Sequence, residues 1–183
     1  MDSEQVQFVR QIAQRLDKAG IPYMVTGSVA LSFYAQPRMT RDVDVVVACE
    51  PGDAPTITRL FEEECYVDEE VVRSAIRNRS MFNIIHNAWI QKADFIVRKD
   101  EEYRKLEFER RRRADLKGVS VSIVAPEDLL LSKLRWARDS ESELQLGDAR
   151  AIATSGTELD RAYLEKWAEK LGLSDLLERA SDR

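Results

Sequence analysis

Cysteine and histidine are nearly missing from this chain of 183 residues: Cys49, Cys65 and His86 are all it holds. Two cysteines without C-x-x-C spacing exclude a disulfide framework. With a single histidine they exclude a zinc site as well, and a reducing cytoplasm fits. Long apolar runs are missing too. No stretch approaches the roughly 18 residues of a membrane span, and the N-terminus shows no basic segment leading into an apolar one, so secretion is not expected. An excess of positive charge is also lacking. With 28 Lys and Arg against 33 Asp and Glu, the formal net charge is −5. That argues against a general nucleic-acid-coating protein and leaves room only for a local basic patch. No linker or internal repeat divides the chain. What is there, 44% hydrophobic and 33% charged residues, suits a globular protein long enough to bury a core.

Two stretches organise the rest. Tyr23-Met24-Val25-Thr26 reads as an apolar strand that turns at Gly27-Ser28 into a short helix through Ala30, Leu31 and Tyr34. Asp42-Val43-Asp44-Val45-Val46-Val47 reads as a strand with carboxylates at alternate positions. Alternate side chains on a strand share a face about 7 Å apart, so Asp42 and Asp44 look one way while Val43, Val45 and Val47 look into a core. Adjacent carboxylates repel each other and resist burial. A hard divalent cation relieves both problems, and Mg²⁺ commonly sits on one or two carboxylates plus substrate phosphates. Gly27 lets backbone approach a ligand, the free N–H groups at the helix start favour an anion, and Ser28 adds a hydroxyl. Together these describe a nucleoside triphosphate held by Mg²⁺ or Mn²⁺. Arg38 and Arg41 flank the carboxylates, either neutralising the acidic strand end or touching the triphosphate.

Gly27-Ser28, thirteen residues, then Asp42-x-Asp44 between hydrophobics resembles the signature of the DNA polymerase β-like nucleotidyltransferase superfamily. The resemblance implies an α/β fold: a mixed sheet flanked by helices, with a nucleotidyltransferase core over 1–125 and a helical C-terminal part over 126–183 packed on it as one unit. It also implies a third acid on a neighbouring strand, and Asp94 at the head of Ala93–Val97 resembles that position. There it would complete a metal set with Asp42 and Asp44 and take the proton of an attacking hydroxyl. Further on, Ala125-Pro126-Glu127-Asp128-Leu129-Leu130-Leu131-Ser132-Lys133-Leu134, with Gln145-Leu146-Gly147-Asp148 after it, resembles the AbiEii-type and related small bacterial nucleotidyltransferases. That likeness puts Lys133 on the triphosphate beside Gly27 and Ser28, and gives Asp148 a supporting part. The bland readings are a snorkelling lysine and an acid near a helix start.

The remaining chain reads as scaffold. Residues 3–19 carry a helical stripe from Val6 to Leu16, closed by Gly20 and Pro22. Helical spacing recurs over 54–65 and 69–77, and Met81–His86 with Ala93–Val97 predicts a hairpin. His86 reads as structural. Residues 100–113 predict a charged helix ending in Arg110-Arg111-Arg112-Arg113, and 117–124 a strand. The arginine run is either a solvated helix end or a patch for RNA phosphates. The tail reads as two helices capped by Thr157 and Ser174. The activity implied is transfer of a nucleoside monophosphate from an NTP to an acceptor hydroxyl. RNA or a tRNA end comes first, as for a toxin with a cognate antitoxin, then a protein or a small molecule such as an aminoglycoside. The alternative is an inactive nucleotide-sensing or partner-binding module that kept the fold. No membrane partner is expected.

Overall fold

Period-two and period-3.6 segments alternate along the chain, and a sheet buried between helices is the arrangement that hides both kinds of apolar face. The computed structural model describes residues 3–36, 40 and 42–181, so Arg38 and Arg41 lie outside the described residues. The described elements are α1 (Ser3–Ala19), β1 (Tyr23–Thr26), α2 (Gly27–Leu31), β2 (Asp42–Val47), a 3₁₀ turn (Pro51–Asp53), α3 (Ala54–Phe61), β3 (Cys65–Tyr66) and α4 (Glu69–Asn78). They continue with β4 (Met81–His86), β5 (Lys92–Val97), α5 (Glu102–Glu109), β6 (Arg112–Leu116), β7 (Val119–Ile123), α6 (Pro126–Ser140), α7 (Glu143–Ala153), α8 (Arg161–Leu171) and α9 (Ser174–Ser181). The strands form one seven-stranded sheet in the order β3-β4-β5-β2-β1-β7-β6. It is mixed, as expected: β2 runs parallel to β5 and β1 parallel to β7, while the other neighbours are antiparallel. No described helix is long and apolar enough to cross a membrane.

Alternation decides which face each strand residue serves. Val43, Val45 and Val47 of β2 and Ala93, Phe95 and Val97 of β5 are fully buried, against Phe8, Ile12 and Leu16 of α1 and Ile57 and Phe61 of α3. Met24 and Val46 turn to the other face and pack with Leu129, Leu130 and Leu134 of α6, Leu146 of α7 and Trp167 of α8. The polar ends of β2 and β5 share that second face, where Asp42, Asp44, Lys92 and Asp94 are only half-buried.

The arginine run departs from expectation. Helix α5 stops at Glu109, and Arg112–Leu116 forms an edge strand hydrogen-bonded to β7 through a two-residue turn at Lys117-Gly118 (φ 49° and 84°). Such turns need left-handed backbone at both positions, where glycine adds no strain. Arg110 stacks 3.8 Å above the Tyr163 ring and donates to Asp128 and Glu127, each at 2.9 Å. Asp128, fully buried, also accepts from Tyr103 Oη at 3.2 Å and Tyr163 Oη at 2.5 Å. Arg111 lies 4.3 Å over Phe108, Arg112 pairs with Glu127 at 3.6 Å, and Arg113 grips Asp17 with two hydrogen bonds. The run thus starts at the C-cap of α5 with Arg110 and passes into β6 at Arg112, with its side chains engaged rather than free. Buried acids at the start of α6 require cations, and Arg110, with Arg112, meets that need. In the tail, Ser174 is the first residue of α9 rather than its cap, and Asp160 rather than Thr157 caps α8, accepting from the Tyr163 N–H at 3.0 Å.

Candidate active site

The Gly27 turn and the Asp42-x-Asp44 strand meet because β1 and β2 are antiparallel neighbours, with Thr26 opposite Asp44. The contact is close. Gly27 has φ +64°, and a Cβ there would come within 1.9 Å of Asp44 Oδ2 and 2.8 Å of its Cγ. Only glycine fits both the backbone conformation and the space. Ser28 follows, buried, and Thr26 makes no side-chain cap on α2, leaving the first N–H groups without that partner.

The parallel pairing of β2 with β5 brings in Asp94. Asp44 lies opposite Asp94 and Asp42 opposite Lys92, so four side chains form a square on one face. Lys92 Nζ lies 3.1 Å from Asp94 Oδ1, 3.2 Å from its Oδ2 and 3.5 Å from Asp42 Oδ2. Asn83, opposite Asp94 on β4, donates to Asp94 Oδ1. From the helical side, Lys133 of α6 makes a buried pair with Asp148 of α7, Nζ to Oδ2 at 2.8 Å. Asp148 thus sits inside α7 rather than near its start. Of the expected residues, the structure brings Gly27, Asp42, Asp44 and Asp94 into one cluster, sets Ser28 beside it, and brings Lys133 close enough to act on Asp44 electrostatically.

The electrostatics follow from this crowding. Burial raises the Asp44 carboxyl above its ordinary range, Asp94 raises it further, Lys133 opposes, Asp42 adds and Lys92 opposes again. Burial disfavours the Lys92 ammonium, but hydrogen bonding and charge from Asp94, with the charge of Asp42, outweigh it and raise its pKa. Burial first, and the neighbouring acids after it, thus disfavour the charged form of Asp44. Carboxylate oxygens on two strands are the donors a hard divalent cation takes, so the residue chemistry fits one. Among the described residues, however, no group of three or more His, Cys, Asp and Glu is gathered as a ready metal cage. Lys92 occupies the space between Asp42 and Asp94 instead.

Lys92 and Asn83 were not singled out by the sequence. Their only signals are spacing: Lys92 shares a strand face with Asp94 two residues on, and Asn83 is a polar residue on an apolar strand. His86 is structural, buried, stacked 3.9 Å from Trp89 and edge-on to Phe8.

Residues 8–155 match the family model described as aminoglycoside-2''-adenylyltransferase. No curated protein matches the chain in sequence. Among solved structures, ANT(2'')-Ia in complex with adenylyl-2''-tobramycin superposes with a TM-score of 0.64 at 13% identity, covering 93% of this chain and 98% of that one. An antigenic nucleotidyltransferase-like protein from Paracoccidioides brasiliensis gives 0.57 at 17% identity, covering 97% and 94%. The lincomycin-bound lincosamide antibiotic adenylyltransferase LnuA gives 0.54 at 12%, covering 83% and 97%. At such identities the likeness is one of fold.

Proposed function

The chain belongs to the aminoglycoside-2''-adenylyltransferase family and is a nucleotidyltransferase, and from that premise we propose that it moves a nucleoside monophosphate from an NTP to a hydroxyl of a small polar acceptor of the aminoglycoside class. The observation that carries the catalytic reading is the registered pair Asp44–Asp94 on parallel strands, with Asp42 on the same face and Gly27 closed against Asp44.

In this reading the acceptor hydroxyl attacks the α-phosphorus in line, the bond to the β-phosphate oxygen breaks, and pyrophosphate leaves. Asp94, fixed by Asn83, takes the hydroxyl proton. Ser28 and the N–H groups of the Gly27 turn hold the terminal phosphates, and Lys133, set by Asp148, offsets their charge. Asp42 and Asp44, with Asp94, are the residues that would hold the divalent cation. Bound there, Mg²⁺ or Mn²⁺ supplies Lewis-acid stabilisation of phosphoryl oxygens. Arg41 and Arg38, outside the described residues, remain assigned to triphosphate contact and support. Residues 1–125 act as the nucleotidyltransferase core and 126–183 as the helical part packed on it in one unit, in a cytoplasmic protein.

The acceptor assignment is supported by the family and by the antibiotics named with two structural relatives. An RNA or tRNA end, modified by an AbiEii-type toxin with an antitoxin partner, drew its support from the AbiEii-like stretches Ala125–Leu134 and Gln145–Asp148 and from Arg110–Arg113. Those arginines are engaged with Asp17, Glu127, Asp128 and Phe108, so the run favours RNA less than a free cationic patch would. The test is incubation with each of the four labelled NTPs and Mg²⁺, offering aminoglycosides, total RNA and total protein in parallel. Label on an aminoglycoside, lost with Asp42→Ala, supports the proposal. Label on RNA or protein moves the acceptor, and no transfer to any of them points to the nucleotide-sensing module.

A further inference from the structure

Strands β2 and β5 set Asp42, Asp44, Lys92 and Asp94 as a square of three acids and one base. The base is placed where a cation is wanted. Lys92 Nζ touches both oxygens of Asp94, at 3.1 and 3.2 Å, and reaches Asp42 at 3.5 Å. An ordinary surface ion pair satisfies one carboxylate, whereas this ammonium spans two that belong to different strands. Its side chain keeps 37% of its exposure, so it has an open path away from the acids, and a flexible four-carbon stem allows it to leave.

We propose that Lys92 is a built-in competitor for the catalytic cation, holding Asp42 and Asp94 until nucleotide arrives and leaving when a divalent ion takes their oxygens. The inference rests on the assignment of Asp42, Asp44 and Asp94 made above. Two consequences follow from charge alone. A free divalent ion binds weakly, because it must displace a positive group already paired. Nucleotide strengthens ion binding, because a triphosphate offers the displaced ammonium a new anionic partner and brings the ion its own oxygen ligands. The coupling is reciprocal, so the ion strengthens nucleotide binding by the same factor. Lys92 is thus a positioning residue that makes the ion and the nucleotide arrive together, and it takes no part in bond making.

The experiment is Mn²⁺ titration of the full chain, followed by the electron paramagnetic resonance of free Mn²⁺, with and without a non-hydrolysable ATP analogue. Lys92→Met is expected to bind Mn²⁺ about five- to tenfold tighter than wild type without nucleotide, the screened effect of one unit charge at such distances. Lys92→Arg keeps the charge and should stay near wild type, and Lys92→Gln should follow Lys92→Met if the latter folds poorly. The enhancement of Mn²⁺ affinity by nucleotide should shrink in the neutral variants. Unchanged or weaker Mn²⁺ binding by both neutral variants overturns the proposal, and so does an arginine variant that behaves like methionine. Asp94→Asn separates this failure from the other one: if it binds Mn²⁺ as wild type does, the acidic site itself is misassigned, whatever Lys92 does.

Discussion

Replacing Gly27 with alanine tests whether the phosphate turn and the acidic strand are one unit. Two penalties are readable from the structure. Alanine at φ +64° carries the left-handed backbone cost of about 1–2 kcal/mol. The new Cβ would lie 1.9 Å from Asp44 Oδ2, 2.8 Å from Cγ and 3.1 Å from Cβ, so the carboxylate has to swing away from β1. Contacting pairs of this kind show couplings of about 0.5–3 kcal/mol. The sum is a loss of roughly 1.5–5 kcal/mol, which at about 2–4 °C per kcal/mol for a chain of this size lowers Tm by roughly 3–20 °C. Urea unfolding of Gly27→Ala, Asp44→Ala and the double variant separates the two shares. In the Asp44→Ala background, only the backbone share and a weaker contact remain, so Gly27→Ala should cost less there. Metal-dependent nucleotide binding should also fall in Gly27→Ala, since Asp44 no longer faces Asp94. An equal cost of Gly27→Ala in both backgrounds would refute the reasoning, because Asp44 would then not be packed on the glycine.

Three further outcomes follow from other contacts. Asp94→Asn keeps the shape and the partner Asn83 but loses the proton acceptor, so turnover should fall by about 10²–10⁴-fold while nucleotide affinity changes much less; near wild-type rates would reassign the base. Arg110→Met leaves Asp128 and Glu127 buried without their principal cation, and unfolding should show a loss of about 3–5 kcal/mol, a value below 1 kcal/mol marking the pair as dispensable. Arg111→Ser with Arg112→Ser should leave the acceptor KM and its salt dependence unchanged. A flattening by about one unit of slope per lost phosphate contact would bring RNA back as the acceptor.

The acidic centre and the phosphate turn were legible because their signals are local. Alternation along Asp42–Val47 orients two carboxylates whatever surrounds the strand, and a glycine before a short helix announces close approach. The valines' burial followed from the same alternation, whereas the mixed α/β sheet was expected from the family resemblance. Spacing could not reveal partners from other strands. Lys92 acquires its role only because β2 and β5 run parallel in a register that sets it opposite Asp42, and register is a property of the sheet, not of either strand. The arginine run shows the converse. A stretch of four like charges reads as a solvated or ligand-binding patch, yet Glu127 and Asp128, far along the chain, are buried beside it. Burying an acid demands a cation, and Arg110 at the end of α5 supplies it, linking that helix to Glu127 and Asp128 of α6 and Tyr163 of α8. Local pattern thus determined which residues bear chemistry on each element; packing decided which of them meet, and which charges were already claimed.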